Sequence, residues 1–379
     1  MIQPGLTESK RKGSRPSRRG ALSGIVTPVV AVAASLLIGS LVIAMLKVNP
    51  LVAYGLLFSG AVGNLGQLTG TIVNAIPLMF AGLAVTVAFR GSIFNIGGEG
   101  QIYFGALFAI LAGTMLKLPP GLHLLVALAA GALGGLLWAL IPGYLKAKRG
   151  LNEVIITILM NYIATWFVAY LVHGPIREHG WNPQSRLVEV TARLPILIKG
   201  TSLHAGIILA LLAAVLVHLL LTRTGLGFAI RMVGSNREAS RYAGINSARV
   251  VILTMCISGA LAGLAGASEM LGTRYRLLEG FSPGWGFDAI AVAMVGRQTA
   301  LGTVLGALFF GALRSGATVM QSGTGLPVVA VYFIQGLIIL FMIAGSSVNF
   351  LKNLTNRKNP EPTKEVTAGD KPAQGPVLG

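Results

Sequence analysis

The sequence predicts an all-α polytopic membrane protein. Three observations carry that prediction. Hydrophobic residues make up 54% of the 379 positions. Charged residues make up only 11%, against about 25% in soluble domains. Apolar runs of roughly 20 residues recur along the chain, long enough to cross a bilayer. The formal net charge of +18 would point to nucleic acid in a soluble protein. Here the basic residues fall mostly in short polar connections and at the two ends, so membrane topology accounts for them better. The lone Cys256 sits in an apolar run and permits neither an intrachain disulfide nor a cysteine-based metal site.

Residues 1–20 are basic and polar (Lys10, Arg11, Lys12, Arg15, Arg18, Arg19) and are expected to form a disordered cytoplasmic tail. Ala31-Val32-Ala33 has the look of a cleavage site, but the apolar run from Ala21 to Leu46 exceeds a usual signal core, so a retained first helix is expected. Further apolar spans read as 67–89, 92–116, 121–145, 151–172, 203–222, 250–272, 284–296, 298–320 and 326–345. With 21–46 they make about ten crossings, and both termini fall on one side. The stretch 48–66 adds a short outer helix as an alternative to a loop, and 284–296 is the briefest of the spans. The membrane domain is thus 21–345. The Pro-, Lys- and Glu-rich stretch 346–379 is expected to be a disordered cytoplasmic tail.

Charge distribution supports the even count. With the N-terminus inside, the inner connections hold Arg90, Lys146, Lys148, Arg149, Arg223, Arg231, Arg237, Arg241, Arg249 and Arg297 besides both tails. The outer ones hold Lys47, Lys117, Arg177, Arg186, Arg193, Lys199, Arg274 and Arg276, and the inner set wins by more than twofold. Two connections are too long to be simple turns: an outer loop, 173–202, and an inner loop, 223–249. The second half of the inner loop, Asn236 to Ala243, has helical composition and stops at Gly244, a plausible C-cap. Gly131 and Gly135, Gly259 and Gly263, and Gly302 and Gly306 are each four apart, which reads as ordinary close packing of membrane helices.

Catalytic signatures are missing from the sequence. It has no Gly-x-x-x-x-Gly-Lys-Ser/Thr phosphate loop, so if ATP drives this protein another chain must bind it. His-Glu-x-x-His and Cys-x-x-Cys patterns do not occur, and His123, His173, His179, His204 and His218 are scattered. Ser258-Gly259 lacks the Gly-x-Ser-x-Gly context of a nucleophile elbow. No catalytic residue, metal site or bound cofactor is therefore expected in this chain.

Charged groups at membrane depth are the informative residues, because a charge in hydrocarbon needs a partner, a water-filled cavity or a function. Glu99, Glu153, Glu269, Asp288 and Arg314 qualify. Asn152 with Glu153 reads as a helix N-terminus. Glu269 is expected to snorkel or to pair with Arg274 or Arg276, and Arg314 needs a partner, for which Glu99 and Asp288 are the candidates. Glu99 and Asp288 each sit in a glycine-containing break, Gly97-Gly98-Glu99-Gly100 and Gly284-Trp285-Gly286-Phe287-Asp288. Paired breaks in two halves of a transporter point to a site near the midplane; a structural ion pair or a buried, hydrogen-bonded carboxyl is the competing reading.

These residues also carry a family resemblance. Asn95-Ile96-Gly97-Gly98-Glu99-Gly100-Gln101 resembles the N-I-G-x-E-G-Q signature of ABC importer permeases of the ribose/branched-chain amino acid type, most closely their nucleoside and simple-sugar branch. Gly150-Leu151-Asn152-Glu153-Val154-Ile155 followed by Met160-Asn161-Tyr162-Ile163, the segment Arg231-Met232-Val233-Gly234-Ser235-Asn236 running to Ala243-Gly244-Ile245, and Gly286-Phe287-Asp288-Ala289-Ile290-Ala291-Val292-Ala293 are similar to three further stretches of that branch. The resemblance spans about 20–345. Ala300 stands where proline is usual, which should slightly alter a turn.

The resemblance implies a permease subunit in a bacterial cytoplasmic membrane, paired with a second, related permease. A cytoplasmic ABC ATPase, often a tandem cassette, would use ATP and Mg to power it, and an extracytoplasmic substrate-binding lipoprotein would deliver cargo. The inner loop 223–249 would dock on the ATPase through Arg231, Gly234, Asn236, Arg241, Tyr242 and Gly244. The outer loop 173–202, with Trp181, would contact the binding protein. Asn95, Glu99, Gln101, Asn161 and Asp288 would line the substrate pathway of an alternating-access importer for nucleosides or a simple sugar. Tyr162 or Trp285 offers a ring to stack on a base, against the plainer role of an interfacial aromatic. The alternative is an ion-coupled secondary transporter acting without an ATPase, with Glu99 and Asp288 as its ion sites.

Overall fold

The computed structural model describes residues 33–326 and scattered positions between 329 and 341. The expected tails, 1–20 and 346–379, lie outside the described residues, as does much of the expected span 326–345. Among the described residues the chain is helical, with three isolated β-bridges and no strand. Helices α1 (Ala33–Met45) and α2 (Pro50–Val62) meet at a 118° bend, where the Asn49 side chain caps α2 and Pro50 takes its first position. Then come α3 (Leu65–Arg90), α4 (Gly98–Met115), α5 (Leu122–Arg149) and α6 (Glu153–His173). After an irregular 174–205 connection follow α7 (Gly206–Arg223), α8 (Gly225–Ser235), α9 (Arg237–Tyr242) and α10 (Ser247–Glu269), which runs into a π turn, Met270–Arg274. Helices α11 (Trp285–Val295) and α12 (Ala300–Thr324) complete the order.

About ten crossings is not supported. Among the described residues six helices are long and apolar enough to span a membrane, or seven if the bent α1–α2 pair is one span. The reasons are local. Helix α11 has 11 residues and reaches only about 16 Å at 1.5 Å per residue, half of a hydrocarbon core. Helix α4 opens with the polar turn Gly98-Glu99-Gly100-Gln101, which removes a turn from the expected 92–116 span.

Burial sorts centre from periphery. The apolar windows of α3 and α10 are 83% and 72% buried, while those of α5, α6 and α7 are 33% buried. Outer helices therefore turn leucine and isoleucine outward (Leu125, Leu137, Ile155, Leu159, Leu216), a surface that suits lipid rather than water. Helices α5 and α10 pack through the predicted glycines: a Cβ on Gly135 would collide with the Gly259 carbonyl, and one on Gly263 with the Gly131 carbonyl. Such contacts draw two backbones together where hydrophobic driving force is absent. Ala300 is the first residue of α12, a position that also accepts proline, and Thr299 caps the helix through a 3.1 Å bond from Gly302 N to its Oγ1.

The two ends of the bundle differ. One carries α8, α9, the α5–α6 corner and the α11–α12 corner. There Arg90 Nε donates to Gln298 O at 2.9 Å, and α8 lies so close that a Cβ on Gly234 would strike the Arg90 carbonyl. The other end carries the 174–205 connection, laced to the chain after α10 by Ser185 N to Leu277 O (3.0 Å), Val188 N to Tyr275 O (2.9 Å) and Leu194 N to Leu271 O (2.8 Å).

Candidate functional site

The two glycine-containing breaks meet. Helix α3 stops at Gly91, Ser92 takes φ 54°, and residues 92–97 run as irregular chain before α4 starts. Gly98 faces Gly286 of α11 in the buried interior, and a Cβ on Gly286 would collide with the Glu99 backbone nitrogen. Glu99 Oε2 accepts the Gly286 N–H at 2.7 Å. One carboxylate thus sits in the first turn of α4 and caps the first turn of α11, beside the positive ends of two helix dipoles. Ser282 faces the same carboxylate. Gly284, at φ 93°, supplies the left-handed turn that opens α11.

A closed polar network holds the irregular segment. Asn95 Nδ2 donates to Gln101 Oε1 (3.0 Å) and to Ser258 Oγ on α10 (2.9 Å), and Gln101 Nε2 donates back to Asn95 Oδ1 (3.0 Å). Ser258 Oγ–H donates in turn to Ala84 O at 2.8 Å. Asn161 of α6 accepts from Gly100 N (2.8 Å) and donates to Ile96 O (2.9 Å). Asn95, Gln101 and Asn161 are all buried. Backbone groups that an unbroken helix would pair internally are matched here by side chains, which is what allows a break at membrane depth. Ser258, considered from sequence only as a nucleophile, is an anchor of this network; a serine in an otherwise apolar run was the available signal.

Asp288 lies in the same first turn of α11, two residues after Gly286, and pairs with Arg314 of α12, Nη2 to Oδ2 at 2.5 Å. Its side chain stays 24% exposed and that of Arg314 11%. Trp285 is buried, and its ring lies 6.0 Å from the Arg314 guanidinium carbon. Tyr162, by contrast, is exposed on α6. Of the five residues expected along the pathway, Asn95, Glu99, Gln101 and Asn161 gather around the start of α4, and Asp288 stands beside them on α11. The remaining deep charges are paired: Glu153 with Lys146, and Glu269 with Arg274 at 2.9 Å. Asn152 caps α6 through a 2.9 Å bond from Val154 N.

The expected docking residues fall on two helices rather than one. Arg231 and Gly234 lie on α8, which composition did not separate from the loop. Asn236 joins α8 to α9 and caps α9, accepting from Glu238 N (3.0 Å) and Ala239 N (2.9 Å). Arg241 and Tyr242 end α9 exposed, and Gly244 at φ 77° stops it. At the opposite end, Trp181 is fully exposed at the tip of the 174–205 connection.

Comparison with known proteins agrees with this architecture. Residues 67–343 match the family described as branched-chain amino acid transport system, permease component. The chain is 38% identical over 341 residues to the guanosine ABC transporter permease protein NupP of Bacillus subtilis, covering 89% of this chain and 98% of that protein. It is 35% identical to the glucose ABC transporter permease protein TsgB13 of Haloferax volcanii, over 91% of this chain and 94% of that one. Against the nucleoside ABC transporter permease protein NupB of Lactococcus lactis it is 31% identical, over 84% and 90%. No solved structure matches. A carrier that works without an ATPase does not fit these relatives, and in the fold Asp288 is already neutralised by Arg314. With its broken helices, its apolar spans and a match over most of its length, the chain belongs to the permease family of ABC transport systems, as a multi-pass membrane transport subunit and not an enzyme.

Proposed function

We propose that this permease imports nucleosides, purine nucleosides foremost, as one half of a heterodimeric channel in the bacterial cytoplasmic membrane. The observation that carries the reading is the 38% identity to a guanosine permease across 98% of its length. The charge distribution supports cytoplasmic termini, with α8, α9 and the basic corners on the inner side. There a tandem-cassette ABC ATPase, which binds ATP and Mg, docks on Arg231, Gly234, Asn236, Arg241, Tyr242 and Gly244. A substrate-binding lipoprotein delivers cargo at the Trp181 end. Closure of the ATPase moves α9, and the two permeases reorient around a path beside Glu99 and Asp288. In this reading Asn95, Gln101 and Asn161 shape the pathway by holding the break open, and Glu99 fixes α11 to α4.

The test is uptake of labelled guanosine, uridine and glucose by the full complex in proteoliposomes containing ATP. Guanosine uptake that requires ATP and the binding lipoprotein is expected. Glucose uptake without nucleoside uptake would favour the second reading, a sugar importer, for which the 35% identity to a glucose permease speaks.

A further inference from the structure

Polar groups around the α4–α11 contact fall into two sets. Asn95, Gln101, Asn161 and Ser258 use one another and the backbone. The second set has donors to spare: the indole Nε1 of Trp285 and the Nε of Arg314 are buried with no hydrogen-bond partner, as is the Trp138 Nε1, which stands apart from them beside Gly100 and stacks on Phe104. Buried N–H groups are rarely left unmatched, because desolvation then goes uncompensated. The two residues are neighbours, with the Arg314 guanidinium carbon 6.0 Å from the Trp285 ring. Asp288 engages Arg314 through Nη2 and leaves Nε free.

Aromatic rings extend from the same point. Phe281 lies 6.3 Å from Trp285 and 4.7 Å from Tyr103, centroid to centroid. Beside them the surface opens, since Phe287 is 48% exposed and Asp288 keeps part of its carboxylate uncovered. A partly exposed ion pair at membrane depth does not face hydrocarbon, so this flank faces protein or an aqueous path. The carboxylates of Glu99 and Asp288 disfavour an anionic ligand and the Arg314 guanidinium a cationic one. What fits is a neutral, planar ring that carries acceptor atoms on its edge.

We propose that Trp285 and Arg314 form a subsite for the nucleobase of the transported nucleoside. The Trp285 indole N–H and the Arg314 Nε–H donate to acceptors on the base edge, and Phe281, tilted beside Trp285, offers a ring to its face. The subsite is closed in this conformation and loads when α11 and α12 part. This assignment rests on the nucleoside reading and names the groups that would read the base.

Trp285→Phe tests it, because the change keeps an aromatic ring and deletes an N–H that no protein group uses. In the complete complex, guanosine uptake is expected to fall about fivefold, the worth of one ordinary hydrogen bond. ATPase co-purification should stay at the wild-type level, and the thermal midpoint should fall only by the small cavity cost of trimming a buried ring. Wild-type uptake by Trp285→Phe overturns the subsite while leaving the nucleoside reading intact. Uptake that falls only in proportion to the amount of folded complex overturns it too, since Trp285 would then serve packing alone. A wild-type complex that carries glucose and no nucleoside overturns both.

Discussion

Glu99 Oε2 accepts the backbone N–H of Gly286 at 2.7 Å, and that bond joins the two broken helices 187 residues apart in sequence. Glu99→Gln keeps an acceptor in place and should leave the thermal midpoint nearly unchanged. Glu99→Ala leaves a buried N–H unmatched and should cost about 1–3 kcal/mol. Gly286→Ala should be worse, about 3 kcal/mol, because its Cβ would meet the Glu99 backbone and not a flexible side-chain tip. Thermal unfolding of the three variants in detergent checks the order. If Glu99→Gln and Glu99→Ala both import cargo at the wild-type rate, Glu99 has no part in transport.

Asp288 and Arg314 are a different kind of contact. Each neutralises the other in a pair that is only partly buried, so removing one leaves a charge short of its partner. Asp288→Asn or Arg314→Met alone should cost about 1–3 kcal/mol, less than a fully buried pair, and the double variant should recover much of that. The double-mutant cycle, read as thermal midpoints, measures the coupling. Additive losses would mean that the pair is solvated and contributes little.

The start of α4 shows how far sequence reasoning reaches at this site. Glycines and a carboxylate between apolar runs located both breaks, because a polar turn in a span is visible without partners. That the breaks touch was not legible, since the contact joins residues far apart through a backbone N–H, which any residue offers. Composition likewise found Asn236 and Gly244 at the ends of α9, whose capping chemistry is local. It missed α8, because Gly225 and Gly227 argue against a helix that tertiary packing nonetheless forms. The span count failed for a related reason: an apolar run shows that a segment is buried but not that it crosses, and the 11 residues of α11 are buried without the length to cross.

The α9 segment makes its own prediction. Gly244 takes φ 77°, which costs a side chain about 1–2 kcal/mol, and Arg241 lies exposed on the last turn of α9. Gly244→Val and Arg241→Glu should each reduce ATPase co-purification severalfold and slow uptake in proportion. Asn236→Ala should act more weakly, since it removes one cap worth about 1 kcal/mol. ATPase that co-purifies fully with Gly244→Val and Arg241→Glu combined would place the docking surface elsewhere.

His204 offers a pH test outside the spanning helices. Its ring is 1% exposed, and a Cβ on Gly272 of the π turn would collide with it. Nδ1 accepts from Gly206 N at 3.1 Å, so the neutral ring carries its proton on Nε2, 3.3 Å from Thr273 Oγ1. A second proton would set Nδ1–H against the Gly206 N–H. Burial accordingly pushes the imidazole down to about 4 from its usual 6.5. The unfolded chain takes up a proton near pH 6.5 and the folded one only near 4, so stability falls as pH drops through that window. The full contribution, on the order of 3 kcal/mol, is present above pH 6.5. Thermal midpoints from pH 7.5 to 4.5 should therefore decline in the wild type. His204→Asn, which retains an acceptor for Gly206 but does not titrate, should start lower and decline less. Parallel curves for the two proteins would show that other groups govern acid stability.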